Sequence, residues 1–103
     1  MSIEREFFPG FIKTHVLYHA SRGEIFGAEM AAELARHGYN ISPGTLYPTL
    51  HRLERAGYLK GRKAVVNGRA RIYYRATPEG LRVLEESRRR LRELVSEVLE
   101  EGA

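Results

Sequence analysis

The sequence contains no cysteine, no tryptophan and no aspartate, so every acidic side chain is a glutamate. Without thiols, disulfides, thiolate metal centres and cysteine nucleophiles are excluded. No apolar run approaches the ~20 residues needed to cross a bilayer, and the amino terminus lacks the basic stretch and apolar segment of a secretory signal. A cytoplasmic protein without a membrane partner is expected. Serine, histidine and glutamate are all present, but no serine sits in a nucleophile-elbow glycine pattern and no GxxxxGK phosphate loop occurs. Neither enzymatic activity nor a cofactor is expected.

What the chain does contain is local positive charge. The formal net charge is only +4, with a pI near 9.7. Between Arg52 and Arg75, however, Arg52, Arg55, Lys60, Arg62, Lys63, Arg69, Arg71 and Arg75 face a single carboxylate, Glu54. Such a field suits a polyanion, although scattered basic residues also occur as an ordinary solvated face. The chain has 103 residues. That length fits one small domain that is hard pressed to bury all its apolar surface alone, for which dimerisation is a natural remedy.

Residues 1–9 end in Phe7, Phe8 and Pro9 and read as a short leading helix or an arm, punctuated by Pro9-Gly10. The apolar residues Phe11, Ile12, Val16, Leu17 and Tyr18 predict a buried helix from Phe11 to about Ala20, stopped by Ser21-Arg22-Gly23. A second helix is expected from Gly27 to Arg36, with Met30, Ala31, Leu34 and Ala35 as its apolar stripe and His37-Gly38 as its end.

The stretch Ser42 to Leu59, SPGTLYPTLHRLERAGYL, carries the most information. Ser42 is a good N-cap, Pro43 fits the first helical position, and Leu46, Leu50 and Leu53 recur at helical spacing. One face is therefore expected to be buried, and Thr45, Pro48, Thr49 and Arg52 are assigned to the other. Gly44, near the helix start, allows close backbone approach to a ligand. Two helices joined by a short link, the second with a capped small-residue start, form a helix-turn-helix.

Tyr58 to Val66 is β-prone, Asn67-Gly68 is a strong hairpin turn pair, and Ala70 to Ala76 reads as a second strand. A hairpin in that position is a wing, and Lys60, Arg62, Lys63, Arg69 and Arg71 near its strands and tip can reach phosphates beside a groove. Thr77-Pro78-Glu79 then opens a final helix expected to run to about Glu100. Leu81, Leu84, Leu91, Leu94, Val95 and Val98 form its stripe. At 1.5 Å per residue it would be about 35 Å long, more than this body needs, so its far end is expected to pack on a second copy. The alternative is a helix folded back on its own domain.

The expected fold is mainly α with a small β-hairpin: a winged helix-turn-helix unit over 1–76, with its N-terminal arm or helix, and a C-terminal dimerisation helix over 77–103. GTLYPTLHRLERAGYL from Gly44 and RIYYRATPEG from Arg71 closely resemble the PadR family of bacterial transcriptional regulators, in the short form with one C-terminal helix. The resemblance covers about Phe11 to Val98.

It implies a homodimer, held by the terminal helices, that represses transcription from a palindromic double-stranded DNA operator and often responds to a small-molecule effector. Ser42, Gly44, Thr45 and Tyr47 match the family's DNA-facing segment, followed by Pro48 and Thr49, and Arg69 and Arg71 match basic wing positions. Lys63 joins them on charge. Phe11, Leu84, Leu91, Leu94, Val95 and Val98 are the expected dimer contacts. Tyr47 has two roles in view, packing on the preceding helix or contacting DNA through its hydroxyl. Multidrug-sensing relatives sandwich planar ligands with aromatics of the C-terminal helix. Here no aromatic follows Tyr74, so such a site would have to draw on the first helix.

Two further readings stay open. His15 and His19 share a helix face, but two ligands are too few for a metal unless His37 or His51 completes the set, and structural roles are expected for both. The helix and wing could also serve a protein partner without specific DNA binding. The excess of arginine favours nucleic acid, and salt dependence separates the two.

Overall fold

The computed structural model describes residues 1–101. Residues 102–103, the end of the expected C-terminal segment, lie outside the described residues. Helix α1 spans Ile3–Glu6, α2 Phe8–Arg22, α3 Gly27–Arg36, α4 Pro43–Arg55 and α5 Pro78–Val98. Strand β1 is Ile25–Phe26, β2 Leu59–Val66 and β3 Arg69–Ala76. The architecture is the expected one, mainly helical with a hairpin, plus a strand the sequence did not announce. Residues Ile25 and Phe26 pair antiparallel with Tyr74 and Tyr73, so the sheet is three-stranded in the order β1-β3-β2.

Helix α2 begins at Phe8 rather than Phe11, because Pro9 falls in its first turn, where a missing N–H costs no helical bond. Helix α3 starts with the Glu29 carboxylate accepting the Phe26 N–H at 3.2 Å. Helix α4 ends in a Schellman turn: Tyr58 N–H donates to Leu53 O and Gly57 N–H to Glu54 O, both at 2.9 Å. Gly57 adopts φ 86°, a left-handed value that disfavours any side chain. At the wing tip Asn67 and Gly68 have φ 52° and 76°, the primed turn that matches strand twist, closed by the Val66–Arg69 pair.

All six larger elements meet in one core. Val16, Leu17 and Ala20 of α2 pack with Met30 and Leu34 of α3 and with Leu46, Leu50 and Leu53 of α4. Leu59, Tyr74 and Leu84 add β2, β3 and α5. This shared core fixes the angle at which α4 leaves α3 and the position of the wing beside it. Helix α5 is anchored near its start: Thr77 Oγ1 accepts from Gly80 N–H at 3.0 Å and donates to the Gly57 carbonyl. Gly80 has no room for a side chain, since a Cβ there would overlap the Tyr58 carbonyl oxygen. Among the described residues, no helix is long and apolar enough to cross a membrane.

Candidate nucleic-acid interface

Helix α4 turns one broad face outward. Ser42, Gly44, Thr45, Tyr47, Pro48, His51, Arg52 and Arg55 are exposed. Ser42 occupies the N-cap position, but its hydroxyl donates to Thr45 Oγ1 at 3.3 Å instead of accepting a helical N–H. Pro48 has no N–H, which leaves the Gly44 carbonyl without its helical donor on this same exposed side.

Thr49 corrects the sequence assignment. It is 5% exposed and so lies inside, not on the outer face. Its spacing from Leu46 and Leu53 places it in the apolar stripe, where its hydroxyl is satisfied by donating to the Thr45 carbonyl at 2.9 Å. The same oxygen accepts from Arg52 Nη2 at 3.3 Å. Thr49 therefore holds the Arg52 guanidinium and offers no exposed hydroxyl of its own.

Tyr47 fulfils its packing role while staying 42% exposed. Its ring lies on Gly27 at the start of α3, so close that a Cβ on residue 27 would come within 2.6 Å of Tyr47 Cε1.

The pairing register sorts the wing's basic side chains onto two faces. Lys63 and Val65 share a face with Leu59 and Gly61, turned toward the core side and Tyr47. Lys60, Arg62, Arg69, Arg71 and Arg75 lie on the opposite face. Arg71 is half-buried, its guanidinium 4.1 Å over the Phe26 ring. Arg69 and Lys63 are exposed. Between the wing and the start of α3 runs a groove lined by Phe26, Lys63, Arg69 and Arg71, with Tyr47 of α4 at its wall.

Not all of the local charge is available. Arg62 forms a bidentate pair with Glu24, with Nε and Nη2 each 2.9 Å from a carboxylate oxygen. That bonding depresses the Glu24 carboxyl below its ordinary value and raises the Arg62 guanidinium. Glu54 accepts the Gly61 N–H at 3.0 Å and so ties α4 to the wing. On α5 the arginine run is matched locally, Arg82 with Glu79, Arg88 with Glu85, and Arg89 and Arg90 with Glu86. The surplus positive charge is left on α4 and the wing.

A cleft of about 610 Å³ flanks α4 on its other side, where Arg5 and Lys13 from the N-terminal helices join Asn40, Ser42, Thr45 and Arg52. The sequence reading missed Arg5, Lys13 and Asn40, because only the packing of α2 beside the α3–α4 link brings them there. The exposed His51 and Arg55 could have been found from helical spacing alone.

The expected dimer residues divide. Leu84 is 2% exposed and belongs to the core of its own chain, which removes it from the list of surface contacts. Phe11, Leu91, Leu94, Val95 and Val98 are 38–60% exposed. Leu84, Leu91, Val95 and Val98 continue one helical face, so the stripe that starts inside the core runs out onto the surface.

Where α2 meets the end of α3, His37 joins His15 and His19. The His15 and His37 rings stack with centroids 4.8 Å apart. Burial lowers the His15 pKa below its usual value, and the nearby His37 and His19 add to the shift. His51, on α4, is no part of this group.

A helix-turn-helix of α3 and α4, followed by a hairpin wing with surplus positive charge on both, defines the winged-helix class of DNA-binding proteins. The family model for the Transcriptional regulator PadR-like family matches residues 16–86, and the chain belongs to that family. The Transcriptional regulator Rv3488 of Mycobacterium tuberculosis is 56% identical over 95 residues, which cover 92% of this chain and 89% of the relative. A PadR family transcriptional regulator from Eggerthella lenta superposes with a TM-score of 0.79 at 36% identity, over 88% of this chain and 80% of its own. A PadR-like transcriptional regulator from Bacillus cereus gives 0.83 at 29% identity, over 92% and 94%.

Proposed function

We propose that the protein is a cytoplasmic, homodimeric repressor that reads a palindromic operator, with α4 in the major groove and the wing on flanking phosphates. The observation that carries this reading is Arg52. It stands on the exposed face of α4, held by the buried Thr49 hydroxyl at 3.3 Å, with Thr45 one turn from Thr49 and a basic wing alongside. A guanidinium oriented in this way is suited to a bidentate contact with guanine, and Thr45 to a phosphate or a thymine methyl. Ser42 and Gly44 sit at the positive end of the α4 dipole, where a backbone phosphate is favoured. Pro48 and the exposed part of Tyr47 complete the groove-facing surface.

Lys63, Arg69 and Arg71 serve the wing. Of these, Arg71 reaches DNA only through the part of its guanidinium not covered by Phe26. Two copies are joined through Leu91, Leu94, Val95 and Val98 of α5 and Phe11 of α2, an apolar strip that a monomer leaves in water. Selection of bound fragments from genomic DNA tests the reading. The expected result is an inverted repeat with half-sites about 34 Å apart, one helical turn. Failure to enrich any sequence over bulk DNA contradicts it, and favours a winged helix that meets a protein partner.

A further inference from the structure

We propose that His15, His19 and His37 form a binding site for a first-row divalent metal ion of the zinc class. The one nitrogen that each imidazole offers lies within 4.8 Å of the other two. His15 and His19 sit one turn apart on α2, and His37 reaches them from the C-cap of α3. The site therefore joins two helices and does not occur along one. Its ring centroids are separated by 4.8 Å for His15–His37, 6.3 Å for His15–His19 and 6.2 Å for His19–His37.

A tetrahedral centre with metal–nitrogen bonds of ~2.0–2.1 Å places its donor nitrogens about 3.3 Å apart. Rotation of the side chains would narrow that gap, and His37, which is exposed, has room to turn.

A second observation points to a ligand. His19 Nε2 is buried and has no hydrogen-bond partner. A buried ring nitrogen left in this state costs stability unless something meets it. The Glu33 carboxylate is 4.0 Å from it, too far for a hydrogen bond yet near enough to bring negative charge beside a cation. The neighbourhood is a cavity of about 380 Å³ walled by Phe11, Tyr18, Tyr39, Leu84 and Leu91, with Arg88 at its edge paired to Glu85.

Three imidazoles with one open position and no thiolate within the chain select zinc, cobalt, nickel or copper over calcium or magnesium. Phe11, Tyr18, Tyr39, Leu84 and Leu91 give the site an apolar surround, and such a shell sets the local dielectric felt by a bound ion.

The test is a Co²⁺ titration of the full chain freed of any histidine tag, followed by visible absorption and by Zn²⁺ displacement. One equivalent per chain with a tetrahedral Co²⁺ spectrum, displaced by Zn²⁺, is expected. Affinity should fall at least about tenfold in His37→Ala and in His15→Ala, and stay unchanged in His51→Ala. His37→Ala replaces an exposed side chain, and circular dichroism of each variant shows that the fold persists. Absence of stoichiometric binding by the unaltered chain, or equal binding by His37→Ala, overturns the proposal. No DNA enters the measurement, so its outcome is separate from that of the operator selection.

Discussion

Tyr47 and Gly27 are in such close contact that any side chain at residue 27 would meet the tyrosine ring, at 2.6 Å from Cε1 and 2.8 Å from the hydroxyl oxygen. The start of α3 and the middle of α4 thus meet at this contact, and the placing of the helix proposed to read DNA depends on a glycine on the helix before it. Gly27→Ala should cost about 1–3 kcal/mol, the usual penalty of overpacking, or swing Tyr47 outward. Denaturant unfolding measures the first outcome and operator affinity the second. A variant with unchanged stability and unchanged affinity contradicts the locking role.

Thr49 and Arg52 should behave as a unit. Thr49→Val keeps the shape and removes the hydroxyl that accepts from Arg52, so it should leave the fold within about 1 kcal/mol of the original while weakening operator binding. Arg52→Ala should weaken it further, by ~1–3 kcal/mol if the contact is to a base. The double variant should be no worse than Arg52→Ala alone, because the threonine acts through the arginine. Additive losses would give Thr49 a separate role.

Leu94 and Leu84 separate surface from core on the same helix. Leu94→Glu should yield a folded monomer in sedimentation with steeply reduced operator affinity, since Leu94 is 48% exposed in the single chain. Leu84→Glu should instead unfold the domain, because it buries a carboxylate without a partner. A Leu94→Glu protein that remains dimeric would move the interface elsewhere.

Tyr74 is 1% exposed, and its hydroxyl has no hydrogen-bond partner. Tyr74→Phe should therefore be neutral or stabilising at neutral pH, by up to about 1–3 kcal/mol. Burial raises the Tyr74 pKa above 10.0, with Glu54 and then Tyr47 adding to it. A folded-state pKa above the unfolded one means that this stabilising term is intact below pH 10.0 and is lost as pH climbs toward the folded value. Thermal unfolding across that range should show the original protein losing stability relative to Tyr74→Phe.

Local signals were readable in the chain. The Asn67-Gly68 turn, the Thr77-Pro78-Glu79 helix start and the leucines of α4 each act over a few residues, and each is where its chemistry demands. What escaped reading depends on distant partners. Strand β1 is only Ile25 and Phe26, and it exists because Tyr73 and Tyr74 offer an edge to pair with. Arg62 looked like a free wing cation until Glu24 met it from 38 residues away.

Polarity assigns Thr49 to the outer face, but its spacing prevails and it is buried. Helical position puts it beside Leu46 and Leu53, and the hydroxyl meets the Thr45 carbonyl inside the helix. The apolar stripe of α5 points to Leu84 as interface, because helical spacing does not say where a core ends and a surface begins. The histidines on α2 gained their third member only through the end of α3.

The most direct test of the central claim is the salt dependence of binding to the selected operator. If α4 and the wing grip DNA as described, log affinity should fall linearly with log salt at about 0.9 per neutralised phosphate, and Arg69→Ala should reduce the slope by about 1. A flat dependence in the unaltered protein would contradict the account.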